Sequence, residues 1–265
     1  MSEDIRVAVI GLGEAGSLIA AGLIAAGADV VGFDPAGSLP NPPVPIAASV
    51  EAAAAGAQLV LSISSPTASR KAAEQLAPLL EAGAVYADLN TGTPAHKRTL
   101  AALFPEGAFA DVAVMKPVPG LAEKVPLAVA GTGAHRFIEL LEPFGMDLEF
   151  VSSRAGDAAA RTLIRSMLTT GMAGVLIDCL WAAESMGIQA WAYQEILDEF
   201  DSSSSETAKS YLSGTAQHIK RRQIEMMDVV EMLNDTGYES STAPAVGLNY
   251  SRILHGKKIP FSTIR

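Results

Sequence analysis

Arg6-Val7-Ala8-Val9-Ile10-Gly11-Leu12-Gly13-Glu14-Ala15-Gly16 joins a short β-rich run to a glycine-spaced turn, and small and apolar residues continue from it in a helical pattern to about Ala26. Strand, glycine turn and helix in that order open a βαβ unit of the kind that binds dinucleotides. The first glycine permits the tight turn, the second lets the backbone approach a pyrophosphate, and the third lets helix and strand pack closely. Backbone N–H groups and the positive end of the helix dipole then face the phosphates. Gly11, Leu12, Gly13, Glu14, Ala15 and Gly16 are therefore the expected pyrophosphate-binding residues. Glycines at this spacing also occur in ordinary βα turns; the strand before them and the helix after them give this instance its weight.

Outward from this turn, β-rich runs alternate with alanine-rich helical stretches up to about residue 150, the pattern of a parallel sheet in a Rossmann domain. The expected strands are Arg6–Ile10, Asp29–Phe33, Leu59–Ile63, Val85–Asp88, Phe109–Val114 and Leu127–Ala130, with Leu148–Val151 as a further one. Pro35–Pro45, rich in proline and glycine, reads as a surface loop. After Gly156 the pattern changes to helices alone. Asp157–Met186 reads as one long helix, followed by Ala190–Phe200, a helix around Thr207–Leu212, Gly214–Asp235 and Ala243–Leu254, with Ser202–Ser205 and Gly237–Ser241 as loops. The expected fold is thus α/β, with an NAD-binding Rossmann domain over 1–155 and an all-helical domain over 156–265 joined by a long interdomain helix. Gly171 and Gly174 within that helix suggest close packing against another backbone at an interface.

Asp34 closes the second strand, where a carboxylate hydrogen-bonds the adenosine ribose hydroxyls. It would repel a 2′-phosphate, and no arginine follows it in Pro35-Ala36-Gly37, so the cofactor expected is NAD, with NADP disfavoured. Ser64, Ser65 and Pro66 follow the third strand, and Asn90 and Thr91 follow the fourth, at the strand ends where a parallel sheet receives its ligand. The same segments also read as helix N-caps followed by proline, and the two readings are compatible.

Composition narrows the alternatives. A net charge of −10 argues against nucleic acid as a partner, and no unbroken apolar run is long enough for a membrane span. The opening Met1-Ser2-Glu3-Asp4 lacks the basic and cleavable apolar regions of a secretory signal, so a cytoplasmic location is expected. The single cysteine, Cys179, lies in an apolar helical run and reads as a core thiol. Neither a metal-ligand spacing nor a Gly-x-Ser-x-Gly motif occurs, so no bound metal is expected.

Gly11–Gly16, Asp34, Asp88-Leu89-Asn90-Thr91, Asp111-Val112-Ala113-Val114 and Gly156-Asp157-Ala158 together resemble the β-hydroxyacid dehydrogenase superfamily, which includes 3-hydroxyisobutyrate and 6-phosphogluconate dehydrogenases and the imine reductases. The resemblance extends over the whole chain. It is strongest to a less characterised branch reading Asp-x-Asn-Ser-x-Ser-Pro and Ala-Val-Met-x-Pro-Val-Pro where this chain has Asp88–Pro94 and Ala113–Pro119. It implies a Rossmann domain followed by a helical domain, a substrate cleft between them, and a homodimer built through the helical part. Two departures stand out. Met115-Lys116-Pro117 replaces the Ser-Gly-Gly loop that binds the substrate carboxylate, and the catalytic lysine expected six residues after Gly156 is Thr162, with Arg165-Ser166 in place of an asparagine pair.

A threonine hydroxyl is a poor general acid by itself, so other groups come into view. Thr162, Arg165, Ser166 and Thr169 share one helix face, which the resemblance puts at the substrate, and arginine there suits a carboxylate or phosphate. His218, Arg221, Arg222 and Glu225 are spaced for one face of a later helix, where a solvated charged face is the plain alternative. Lys116, if partly desolvated beside arginines, would have a lowered pKa suited to proton transfer. Lys116, Thr162 and Glu225 are thus the catalytic candidates, and Met115, Arg165, Ser166, Thr169, His218 and Arg222 the substrate-binding ones. The reading that results is an oxidoreductase interconverting a small, anionic hydroxy compound and its carbonyl form. An imine or amino-substrate reductase and an NAD-binding protein without dehydrogenase activity are the alternatives.

Overall fold

The computed structural model describes residues 5–37, 40–185, 187–200, 202–236, 240 and 242–259. The chain divides into two compact units, Met1–Thr162 and Leu163–Arg265.

The first unit is a Rossmann-type domain around one seven-stranded sheet. Its strands are β1 (Arg6–Ile10), β2 (Asp29–Phe33), β3 (Leu59–Ser62), β4 (Val85–Asp88), β5 (Phe109–Val114), β6 (Leu127–Ala130) and β7 (Leu148–Ser152), in the order β2-β1-β3-β4-β5-β6-β7. Helices α1 (Glu14–Ala25), α2 (Val50–Ala54), α3 (Pro66–Leu76), α4 (Pro94–Ala101) and α5 (Ala134–Leu141) connect them. Each expected strand is present. One feature of the sheet differs from the expectation: β6 runs antiparallel to β5, while β6 and β7 are again parallel. Parallel neighbours need a crossover of a dozen or more residues, commonly a helix. Residues 115–126 contain only a short 3-10 turn at Ala122–Lys124, so the chain turns back on itself there, whereas α5 carries it across to β7.

Both faces of the sheet are covered, which is why its strands read as nearly continuous apolar runs. Val7, Val9, Leu59 and Leu61 face Ile19 and Leu23 of α1 and Phe137 and Leu141 of α5. Their alternates Ala8, Ile10, Val60 and Tyr86 face Ala53 of α2, Leu76 of α3 and Leu100 of α4, where Tyr86 stacks on Phe104 with ring centroids 4.7 Å apart. At roughly 25 cal/mol per Å² of apolar area, these layers are the main source of the domain's stability.

The second unit is helical. Helix α6 (Asp157–Ser185) begins in the first unit, where Ala158 packs with Ala113, Ala128 and Ala130. It is followed by α7 (Gln189–Glu199), α8 (Ser202–Thr236) and α9 (Thr242–Leu254). Two expectations are corrected. Ser202–Ser205 is helical backbone rather than a loop, and the chain does not break at Ser213 but kinks inside α8 at His218 (φ −121°, ψ 26°). Arg222 spans that kink, donating from Nη1 to Thr215 Oγ1 at 2.6 Å, and it lies over Gly214, where a Cβ would come within 3.2 Å of its Nη2. Gly174 meets a close intrachain neighbour: a Cβ there would lie 2.8 Å from a Val246 methyl of α9, while at Gly171 the nearest atom is 3.9 Å away. Residues 237–239 and 241 of the expected loop, and the side chains of Cys179 and Trp181, lie outside the described residues.

Candidate functional site

The glycine turn is built as the spacing requires. Gly11 has φ +102°, a conformation L side chains rarely adopt, and a Cβ on it would lie 2.1 Å from the Ile63 carbonyl oxygen. Gly16 admits no Cβ either, since one would stand 2.0 Å from the Gly11 carbonyl oxygen; this contact sets how closely α1 approaches the turn. Gly13, the N-cap of α1, is exposed and nothing lies within 4 Å of its absent Cβ. The open side of the turn is therefore at Gly13, where the first N–H groups of α1 are without intrahelical partners. Ser17 Oγ donates to the Leu12 carbonyl at 2.7 Å and fastens the turn from beneath.

Asp34 at the end of β2 is drawn to this turn. The Leu12 N–H donates to its Oδ2 at 2.8 Å and the Ala36 N–H to its Oδ1 at 2.7 Å, so its carboxylate is fixed in place with a lone pair on each oxygen still available. An open helix N-terminus and a fixed carboxylate thus stand side by side at the carboxyl ends of β1 and β2.

At the next strand ends the capping reading holds. Ser65 Oγ accepts from the Ala68 N–H and caps α3, and Thr93 Oγ1 accepts from the His96 N–H and caps α4. Asn90, expected among the residues that meet the ligand at the fourth strand end, is buried, and its amide is engaged inward. Its Nδ2 donates to the Ser62 carbonyl, to Ser62 Oγ and to Asp88, and its Oδ1 accepts from the Ser64 N–H. Asn90 thereby fixes the β3 and β4 ends to each other, and Thr91 stands half-buried beside it.

Beneath this loop lies a buried charge cluster that sequence reasoning missed. Asp88 and Asp111 are register partners on β4 and β5, and both are fully buried. Lys97 of α4, 1% exposed, places Nζ 2.7 Å from Asp88 Oδ2, 3.3 Å from Asp111 Oδ1 and 2.7 Å from the Asp88 carbonyl oxygen. Burial opposes its charge, but the two carboxylates outweigh that and hold its pKa above the ordinary lysine value. Asp111 Oδ2 also accepts from the N–H groups of Gly156 and Ala159 at the head of α6. The sequence carried a usable sign of this. Lys97 is three residues before the buried Leu100 on α4, hence on its apolar face, and two strand aspartates in register need a cation between them.

Thr162 and Met115 come together, Thr162 Oγ1 donating to Met115 Sδ at 3.4 Å. Thr162 lines a cavity of about 40 Å³ with Asn90, Thr91, Gly92, Lys97 and Val114. Lys116 does not share this setting: it is exposed on the loop after β5, so the desolvation expected of it is absent, and the buried lysine is Lys97.

In the helical unit, Ser166 is buried and Thr169 Oγ1 bonds back to the Arg165 carbonyl at 3.2 Å, which leaves the half-buried Arg165 as the main charged group of that face. His218 departs from the face shared by Arg222 and Glu225, because the backbone is not helical at His218. Burial raises the pKa of Glu225 more than Arg221, Arg222 and Arg165 lower it, and Arg221 Nε lies 3.4 Å from its Oε1. Among the described residues no group of histidine, cysteine and carboxylate side chains could hold a metal ion, and no helix is long and apolar enough to cross a membrane.

Residues 6–143 match the model of the NAD binding domain of 6-phosphogluconate dehydrogenase. Over 150 residues the chain is 25% identical to an uncharacterized 28.5 kDa protein of Methanothermus fervidus, covering 56% of this chain and 58% of that protein's length. A conserved hypothetical protein of Sinorhizobium meliloti, known as a crystal structure, is 31% identical, with a TM-score of 0.73 and coverage of 98% of this chain and 93% of that one. The 3-hydroxyisobutyrate dehydrogenase of Mycobacterium tuberculosis, solved with L-serine, shares the fold at a TM-score of 0.75 and 18% identity, with 98% of each chain covered.

Proposed function

The chain belongs to the β-hydroxyacid dehydrogenase superfamily, and on that premise we propose that it is an NAD(H)-dependent oxidoreductase acting on a small, anionic hydroxy or carbonyl compound. The observation that carries the proposal is the paired arrangement of an open glycine turn at Gly13 and a fixed carboxylate at Asp34. Residues 11–16 would bind the pyrophosphate through backbone N–H groups. Asp34 would accept from the ribose hydroxyls and repel a 2′-phosphate, which favours NAD(H) over NADP(H). The bound nicotinamide supplies or accepts the hydride. Ser64, Ser65, Pro66 and Thr91 border its end of the site in this reading, with Asn90 fixing Ser64.

In this reading Thr162 would orient the substrate oxygen and, in the helical unit, Arg165 would bind the anionic group, with Glu225, whose pKa burial raises, the candidate proton carrier. Lys116, exposed, is a weaker choice for that proton. We also propose a homodimer. Its apolar surface is Ile164, Leu168 and Val175, exposed by 51, 63 and 55% along α6. They border an apolar groove of about 570 Å³. Light scattering at micromolar concentration checks this, and a monomer refutes it.

The function is tested by titrating NADH and NADPH and then following NADH production or consumption with a panel of 3-hydroxy acids and their carbonyl forms. NADPH binding as tight as NADH binding refutes the cofactor assignment. Thr162 in place of the family's lysine favours one second reading, a dinucleotide-binding protein without dehydrogenase activity; NADH binding with no turnover across the panel would select it.

A further inference from the structure

Lys97 takes no direct part in the proposed function, yet its ammonium is buried, 1% exposed, between two fully buried carboxylates. Two carboxylates side by side in a sheet interior are untenable without a cation between them, so the aspartates explain why a lysine is buried at all. They do not explain why it stands where it does. Its ammonium donates to the Asp88 carbonyl at 2.7 Å and stands 2.7 Å from a carboxylate oxygen of Asp88 and 3.3 Å from one of Asp111, pairing with both charges at once. Each carboxylate leads to a different wall of the small cavity. Asp88 accepts from Asn90 Nδ2, and Asn90 Oδ1 takes the Ser64 N–H, fixing the β3 and β4 ends. Asp111 takes the Gly156 and Ala159 N–H groups, fixing the first turn of the helix that carries Thr162. One cation therefore holds Asn90, Thr91 and Thr162 around the same space.

That space lies at the carboxyl ends of β4 and β5, whereas Asp34 is at the end of β2. From β2 to β4 is three strand spacings, or roughly 14 Å at ~4.8 Å each, a span an extended dinucleotide covers from adenosine ribose to nicotinamide. We propose that Lys97 is a positioning residue for the nicotinamide half of the dinucleotide site, acting through Asn90 and through the head of α6. The proposal rests on the NAD(H)-binding reading. The adenosine half, built from residues 11–16 and Asp34, does not involve it.

The test compares NADH with ADP-ribose, which lacks the nicotinamide, by calorimetric titration of the full chain. Releasing the loop means that residues now held in place must be ordered on binding, and ordering even one corresponds to roughly tenfold in affinity. Lys97→Met should thus weaken NADH about tenfold or more while ADP-ribose stays within about twofold, and the fluorescence emission of bound NADH should move toward that of free NADH. A residue needed only for folding would lower the melting temperature and leave the ratio of the two affinities unchanged. Equal weakening of both ligands, or no weakening of NADH, overturns the proposal. Should Lys97→Met not fold, Asn90→Ala leaves the lysine and both aspartates in place and must show the same ligand-selective loss, and its absence overturns the proposal equally. If the wild type binds ADP-ribose but the variants keep the wild-type ratio, this inference alone fails; if the wild type binds neither ligand, the dinucleotide-binding reading itself falls.

Discussion

Replacing Gly13 by alanine separates folding from binding more cleanly than any other change in the glycine turn. Its φ of −65° and ψ of −169° are open to any L residue, and an added Cβ meets nothing within 4 Å. Alanine is a poorer N-cap than glycine, at a cost of up to ~1 kcal/mol, but it restricts the unfolded chain by ~0.4–1 kcal/mol, so the two terms nearly offset. The melting temperature of Gly13→Ala should therefore stay close to wild type. The methyl group would stand where a pyrophosphate approaches the helix N-terminus, and losing one charge-assisted hydrogen bond there costs ~1.5–3 kcal/mol, or roughly 10- to 100-fold in NADH affinity. Thermal unfolding and NADH titration on the same preparation give both numbers. Gly16→Ala is the opposite case, because its Cβ would stand 2.0 Å from a backbone oxygen; that variant should be destabilised by ~1–3 kcal/mol or more. Wild-type NADH affinity in Gly13→Ala would refute the argument that the backbone at Gly13 meets the phosphates, and a large fall in its melting temperature would refute the claim that the space there is open.

Asp34→Ser should weaken NADH and strengthen NADPH, since the 2′-phosphate no longer meets a carboxylate; an unchanged ratio of the two dissociation constants would count against the role of Asp34. On α6, Gly171→Ala should stabilise the protein by up to ~1 kcal/mol through helix propensity, whereas Gly174→Ala drives a methyl into Val246 and should cost ~1–3 kcal/mol of packing, so chemical denaturation should give the two variants opposite signs or at least clearly separate midpoints. Asp228 has its pKa raised to about 6 by burial, and further by Glu231 and Glu225. Its protonated form is thus favoured by folding, and the stability this contributes is full below the ordinary value of 3.8 and is lost as pH rises through about 6. Asp228→Asn, neutral at every pH, should raise the melting temperature most above that range and little in acid, and a pH-independent effect would exclude the titration of Asp228 as its cause.

What sequence alone determined was local or periodic. The glycine spacing after Ile10 announces the turn, because the positive φ at Gly11 and the crowding at Gly16 are demands that two or three neighbouring residues impose on one another. The alternation of Val7 and Val9 with Ala8 and Ile10 announces a strand covered on both sides, and Asp34 follows from its place at the end of the second strand. Only the tertiary structure decided the reversal of β6, the kink at His218, the inward turn of the Asn90 amide and the charge cluster around Lys97. Each depends on the register of elements far apart in the chain. Lys97 and Asp111 are ordinary surface-type residues until β4 and β5 pair Asp88 with Asp111 and α4 lays a lysine across them. Burial then turns a charge that water would have screened into one that must be matched atom by atom, and spacing along the sequence, which puts Lys97 on the apolar face of α4, does not say which carboxylates will match it.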